Sequence, residues 1–214
     1  LAQRLFNKKS VVSFLVNLLL VSVVLFFSIR DGVARNDPMF RFNEHQTITF
    51  LSALMLGLTS AVSFFLYLLH KKVVPVSKNA LFWLLSAMGF FYLCMDEYFM
   101  AHEGMDEMVG SWFGLDIHHL NLDGAVIGFF GLVALGVCVY FRKVIQEYRL
   151  IIPFFILGAF GLVGTVTFHF LERIHVYYKV TEESLKLLGV SFFFTGYLVA
   201  LLDYLDGLRI ERAR

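Results

Sequence analysis

The chain reads as an all-α, integral membrane bundle of six helices, and three observations predict this. Hydrophobic residues make up 58 % of the chain and charged residues only 16 %, against roughly 25 % charged in an ordinary soluble domain. The apolar residues gather into six runs, near 11–29, 47–69, 80–101, 124–141, 151–171 and 186–205. Each run approaches or reaches the roughly 20 residues that a helix needs to cross the hydrocarbon. The charges lie between the runs and sort by sign. Lipid offers no water to the backbone, so runs this long and unbroken form helices. Barrel strands would be about half as long and would alternate apolar with polar.

The predicted helices, each carried past its apolar run where the pattern allows, span 11–29, 47–69, 80–103, 124–141, 151–175 and 182–205, within one transmembrane domain over 1–214. The first follows Arg4, Lys8 and Lys9. It is too long, and too poor in small-x-small cleavage residues downstream, to read as a secretory signal. Asp31-Gly32 and Asp37-Pro38 mark turns in the first connection. Helix 2 carries Ser52, Gly57, Thr59, Ser60 and Ser63, small residues that allow close helix approach in lipid. Val74-Pro75-Val76 makes the next turn. Helix 3 ends in CMDEYFMAHE and stops near Gly104. Glycines 124, 128 and 131 on helix 4, and 158, 161 and 164 on helix 5, form packing faces. Cys94 and Cys138 are the two cysteines. Their predicted depths differ by about 14 Å, too far for a disulfide.

Orientation follows from Lys and Arg. Twelve of the 18 lie in the N-terminal tail, the 2–3 and 4–5 loops and the C-terminal tail. Both termini are therefore predicted on the cytoplasmic side of a cytoplasmic (inner) membrane. Thirteen of 17 acids and six of seven histidines fall on the opposite side, so the extracytoplasmic face is acidic and rich in imidazole. No basic patch with stacking aromatics is present, which excludes nucleic acid as a partner. There is no HExxH, CxxC or Gly-rich phosphate loop, and no Gly-x-Ser-x-Gly elbow. No Lys falls in the middle of a predicted helix, which argues against a retinal-type Schiff base.

The candidate site is the end of helix 3. Asp96 lies about 9 Å above the midplane if the helix centres near residue 90, inside a hydrocarbon half-thickness of about 15 Å. A carboxylate at that depth is a functional-site hypothesis by default. On a continuous helix Asp96 and Glu103 share a stripe, with Met100 between them and His102 beside it. Glu97 points about 100° away and needs a partner of its own. His169, Glu172 and His175 step by three at the end of helix 5. Carboxylate and imidazole groups projecting from several helices are how bundles hold metals. The expected ligands are Asp96, His102, Glu103, His169 and Glu172, with Asp96 and Glu103 as acid/base groups. Zinc or iron suits this set; copper is less favoured, because Met95, Met100, Met105 and Met108 read better as packing. A divalent metal there would support a metal-dependent hydrolase or oxidase acting on a membrane substrate.

The alternative is an accessory subunit of a larger membrane complex, with a structural ion-pair network partnered by Arg41 or Arg173. A proton- or cation-coupled carrier using Asp96 and Glu103 is a third reading. Glu182 and Glu183 are expected as helix-start acids behind a Thr181 N-cap, with Glu182 and Lys186 as an i,i+4 pair. Asp106, Glu107, Asp116, His118 and His119 read as solvated loop.

Two stretches resemble a group of bacterial multi-pass membrane proteins without an assigned activity. MDEYFMAHE matches their Leu-Asp-Glu-x4-His-Glu, with Met95 for Leu. EESLKLLG matches Glu-Glu-x-Leu-Glu-x-x-Gly, with Lys186 in place of an acid. The resemblance implies a shared site at these helix ends and no reaction. The zinc hydrolases of the ceramidase and progestin-receptor type need Ser-x3-His and His-x3-His. This chain offers only His-x5-His on helix 5, so their activity is not implied.

Overall fold

The computed structural model describes residues 8–43, 46–73, 77–100, 122–169, 171 and 175–212. Among these the elements are helices: α1 (Lys8–Ala34), α2 (Thr47–Val73), α3 (Lys78–Phe99), α4 (Leu122–Tyr140), the short α5 (Arg142–Glu147), a 3-10 turn (Arg149–Ile151), α6 (Ile152–His169) and α7 (Val176–Arg212). Five stretches are long and apolar enough to cross a membrane by length and composition: Lys8–Ala34, Thr47–Lys72, Lys78–Phe99, Arg149–His169 and Val176–Leu208. The apolar helical stretch Phe129–Tyr140 of α4 is shorter.

Local chemistry sets the boundaries. Beyond α1 the chain turns through Asn36, which is left-handed at φ 53°. The Asp37 N–H then donates back to the Gly32 carbonyl at 3.0 Å. A Cβ on Gly32 would lie 2.9 Å from the Asp37 carbonyl oxygen, so this turn needs glycine there. Ser77 caps α3 by accepting the Ala80 N–H at 3.0 Å. Pro153 sits in the first turn of α6, where its missing N–H leaves no helical bond unmade.

Three hydroxyls of α2 are satisfied inside the bundle, whereas that of the fully buried Ser52 has no hydrogen-bond partner among the described residues. Thr59 donates to the Met55 carbonyl, Ser63 to that of Thr59, and Ser60 crosses to the Ala87 carbonyl at 2.8 Å. The closest packing joins α6 to α7. A Cβ on Gly161 would stand 2.6 Å from the Gly189 Cα, and one on Gly158 2.8 Å from the Phe193 ring. This is the close approach expected of the helix 5 glycines, and it builds a two-helix unit on backbone contact.

α7 is the hub, touching α1, α2, α6 and the 3-10 turn. Asn17 of α1 donates to the Ser191 carbonyl at 2.9 Å. One core cluster, at the end of the bundle where α3 begins, contains Leu66, Phe82, Trp83, Phe141, Val144, Ile151, Tyr197 and Ala200. A second, toward the other end, contains Val21, Phe42, Ile48, Met55, Leu56, Leu187 and Val190, and Phe90 packs against both. Large apolar side chains also face outward; Phe160 is 71 % exposed, Leu132 69 % and Leu19 67 %. Water would penalise such faces, whereas lipid solvates them.

Contacts at the helix ends fix the alternation. Lys9 pairs with Asp206, so the start of α1 meets the last turns of α7. His70, at the end of α2, meets Tyr148 and Tyr204 at that same end. Glu97, at the end of α3, meets Lys186 in the first third of α7. The basic segments therefore gather at one end of the bundle and the acidic ones at the other.

Three expected boundaries are corrected. α3 stops at Phe99 rather than near 103, because Met100 adopts a left-handed conformation (φ 54°) and turns its N–H onto the Asp96 carbonyl. α6 stops at His169 rather than continuing to 175. α7 begins at Val176 rather than 182 and runs to Arg212. Thr181 is therefore inside the helix, and its hydroxyl donates to the Tyr177 carbonyl at 2.9 Å instead of capping.

Candidate functional site

Three helices deliver charge to one end of the bundle: the last turn of α3, the last residue of α6 and the first third of α7. Lys186 is the centre. Its Nζ lies 2.9 Å from Glu97 Oε1 and 2.8 Å from Glu183 Oε2. A rise of 1.5 Å per residue puts Lys186 about 15 Å along α7 from Val176. Two turns back, Lys179 Nζ lies 3.5 Å from Glu182 Oε2 and 3.9 Å from Glu183 Oε1. His169 Nδ1 closes the set at 3.1 Å from Glu182 Oε1.

Glu182 and Glu183 are each only 5 % exposed. Adjacent helix positions are 100° apart, so the two carboxylates diverge, Glu182 toward α6 and Glu183 toward α3 through Lys186. The set holds three carboxylates against two ammonium groups and one imidazole. Buried charges persist only when paired and hydrogen-bonded, and removing one partner of such a pair is strongly destabilising.

This overturns two sequence-based expectations. Lys186 pairs with Glu183 and Glu97, not with Glu182, and Glu182 turns to His169 and Lys179. Lys186 also lies well inside a helix, so the premise that excluded a mid-helix lysine fails. The case against a Schiff base now rests on its Nζ being engaged by two carboxylates. Glu97, left without a partner by helical geometry alone, has one in Lys186. Sequence reasoning left Glu97 in need of a partner and read Glu183 and Lys186 as part of a helix start, so it did not join the three. The detectable signal was Lys186 three residues after Glu183, on one helix face with an acid-rich helix end opposite.

Of the expected ligands, Asp96 and His169 are within the described residues, and both are engaged in contacts. His102, Glu103 and Glu172 lie outside them, as do Arg173 and the loop acids and histidines from Asp106 to His119. The Asp96–Met100–Glu103 stripe requires an unbroken helix, and α3 ends at Phe99. Arg41 is not part of this set; its guanidinium holds Asp31 at 2.8 Å. Among the described residues no three His, Cys, Asp or Glu side chains are grouped so as to hold a metal ion. Cys94 and Cys138 are unbridged, as their depths predict.

The fold and the site define a protein that is helical throughout its described elements, with membrane-length apolar helices and a buried ionic cluster at one end. The family model of a domain of unknown function, DUF8692, matches residues 11–201, and the chain belongs to that family. No curated protein and no solved structure matches it.

Proposed function

We propose that this chain is a six-span membrane protein with its basic end cytoplasmic and a divalent-metal site at its acidic end. His169 is a ligand whose ring is held by Glu182. The observation that carries this reading is the contact of His169 Nδ1 with Glu182 Oε1 at 3.1 Å, between two largely buried side chains. A carboxylate on one ring nitrogen orients a metal-binding imidazole and raises its basicity. Asp96, His102, Glu103 and Glu172 complete the donor set, and mixed imidazole and carboxylate favour zinc or iron. Metal-activated water at this depth suits hydrolysis or oxidation of a membrane-embedded or outer-leaflet substrate. Metal analysis of the full chain purified without chelator tests the proposal. Near-stoichiometric zinc or iron, lost in His169→Ala, supports it; no bound metal after incubation with either ion overturns it.

A second reading is favoured by Lys186, which neutralises Glu97 and Glu183 together. On this reading the cluster is a structural ion-pair network in an accessory subunit of a larger membrane complex. Mild-detergent extraction from native membranes separates the two: co-elution with a larger assembly supports this one, and a metal-loaded free chain supports the first.

A further inference from the structure

The opposite end of the bundle carries six cations for which the described residues supply no ion-pair partner. Lys71 and Lys72 close α2, Lys78 opens α3, and Arg142, Lys143 and Arg149 lie on and beside α5; all six are exposed. Three contacts draw these separated segments together. His70 Nε2 and the Tyr148 hydroxyl are 2.5 Å apart, which fastens the end of α2 to the turn before Arg149. Asn79 donates to Glu147 Oε2 at 2.8 Å, which fastens the start of α3 to α5. Lys78 Nζ stands 5.7 Å above the Tyr140 ring, one residue before the Phe141 that leads into Arg142.

None of the six has an ion-pair partner among the described residues. At the acidic end Arg35 and Arg41 hold Asp31, and Lys179 and Lys186 hold the glutamates. Within 70–79 and 140–149 the single acid is Glu147, whose carboxylate accepts from the neutral Asn79 amide and sets one negative charge against six positive ones. On α7 at the same end, Asp206 is taken by Lys9, and Asp203 adds one carboxylate within electrostatic reach of Tyr148, so the cations remain in excess. Six gathered like charges repel one another unless an anion joins them. The contacts holding the segments together are hydrogen bonds and ring packing, which do nothing to neutralise the charge.

The position of the cluster selects the anion. Lys71 and Lys78 sit over Tyr67 and Tyr140, at 5.4 and 5.7 Å from the ring centroids. Aromatic rings of this kind mark the headgroup level of a span. The apolar helices α2, α3, α4 and α6 all end or begin here. We propose that this end is an anionic-phospholipid site: the six cations hold phosphate headgroups whose acyl chains lie against the exposed apolar faces of the same helices. Each cation near a charged lipid surface is worth about fivefold in affinity.

Native mass spectrometry of the full chain, released from micelles with equal phosphatidylglycerol and phosphatidylcholine, tests this. Phosphatidylglycerol is expected to be retained preferentially. Lys71→Gln/Lys72→Gln and Arg142→Gln/Lys143→Gln should each cut that preference by an order of magnitude or more. Their side chains are exposed, so folding is retained, which a thermal melt verifies. Arg35→Gln/Arg41→Gln, at the other end, should leave the preference unchanged. Equal retention of the two lipids, or an unchanged preference in both basic-end variants, overturns the proposal. Displacement of the lipid by millimolar inorganic phosphate overturns its commitment to a lipid headgroup.

Discussion

Replacing Lys186 with Met isolates the contribution of the ionic cluster. The substitution keeps the length and packing of the side chain and removes one charge. It leaves Glu97 without its 2.9 Å partner, while Glu183 retains only Lys179 at 3.9 Å. The side chains of Glu97 and Glu183 are 13 % and 6 % exposed, so water screens little of the loss. Breaking a buried pair by removing one partner costs about 3–5 kcal/mol. The lower end, about 3 kcal/mol, is expected because Lys179 and some water relax toward Glu183. For a chain of 214 residues that is a fall in Tm of about 6–12 °C. Glu97→Gln should cost less, about 1–2 kcal/mol, because Lys186 keeps Glu183 and the amide still accepts a hydrogen bond. The double variant should be more stable than the sum of the two losses implies, by at least about 1 kcal/mol. Thermal unfolding of the purified chain and its three variants in one detergent, followed by circular dichroism, gives the full cycle. A Lys186→Met variant within about 0.5 kcal/mol of the parent, or strictly additive effects, would refute the pairing.

Other perturbations separate the remaining contacts. Gly161→Ala should destabilise by about 1–3 kcal/mol through overpacking, since its methyl meets the Gly189 Cα at 2.6 Å. Gly131→Ala, where nothing lies within 4 Å, should be neutral or slightly stabilising; melts of both in parallel decide. Asn17→Leu removes the bond to the Ser191 carbonyl and should cost about 0.6 kcal/mol, up to about 1.7, measured by denaturant unfolding. Burial pushes the Tyr148 phenol above the usual tyrosine range. The folded chain thus holds this proton more tightly than the unfolded chain, so the associated stability is complete below about pH 10 and is lost as pH rises further. Tyr148→Phe should flatten that alkaline decline and cost about 1 kcal/mol at neutral pH, both read from melts across pH 7 to 11.

Much of the bundle is legible in the apolar runs, because lipid leaves the backbone no alternative to helix. Glycines 158 and 161 announce the tight α6–α7 face by their spacing, and the structure uses them for it. The helix ends were harder to read. Met100 ends α3 in a left-handed conformation that side chains rarely adopt, so residue type gave no warning at that position. α7 begins six residues before the expected 182, within VYYKVT, whose β-branched and aromatic residues are weak helix formers. Packing of Tyr178 on Phe168 of α6 and of Val180 on the second core cluster overrides that preference. Starting the helix late turned Glu182 and Glu183 into surface acids and left Lys186 at an edge, which hid the cluster. Asp96 drew attention through its depth alone. Which carboxylate a lysine reaches is set by three-helix geometry, and periodicity along one helix does not contain it.

The claim that the acidic end is built around an oriented imidazole is tested most directly by zinc titration of the full chain in lipid nanodiscs. Calorimetry of the parent, His169→Ala and Glu182→Gln at neutral pH compares ligand with ring-holding carboxylate. The account predicts one saturable site in the parent, loss of binding in His169→Ala, and affinity weakened 10- to 100-fold in Glu182→Gln. Equal zinc binding by the parent and His169→Ala would contradict it.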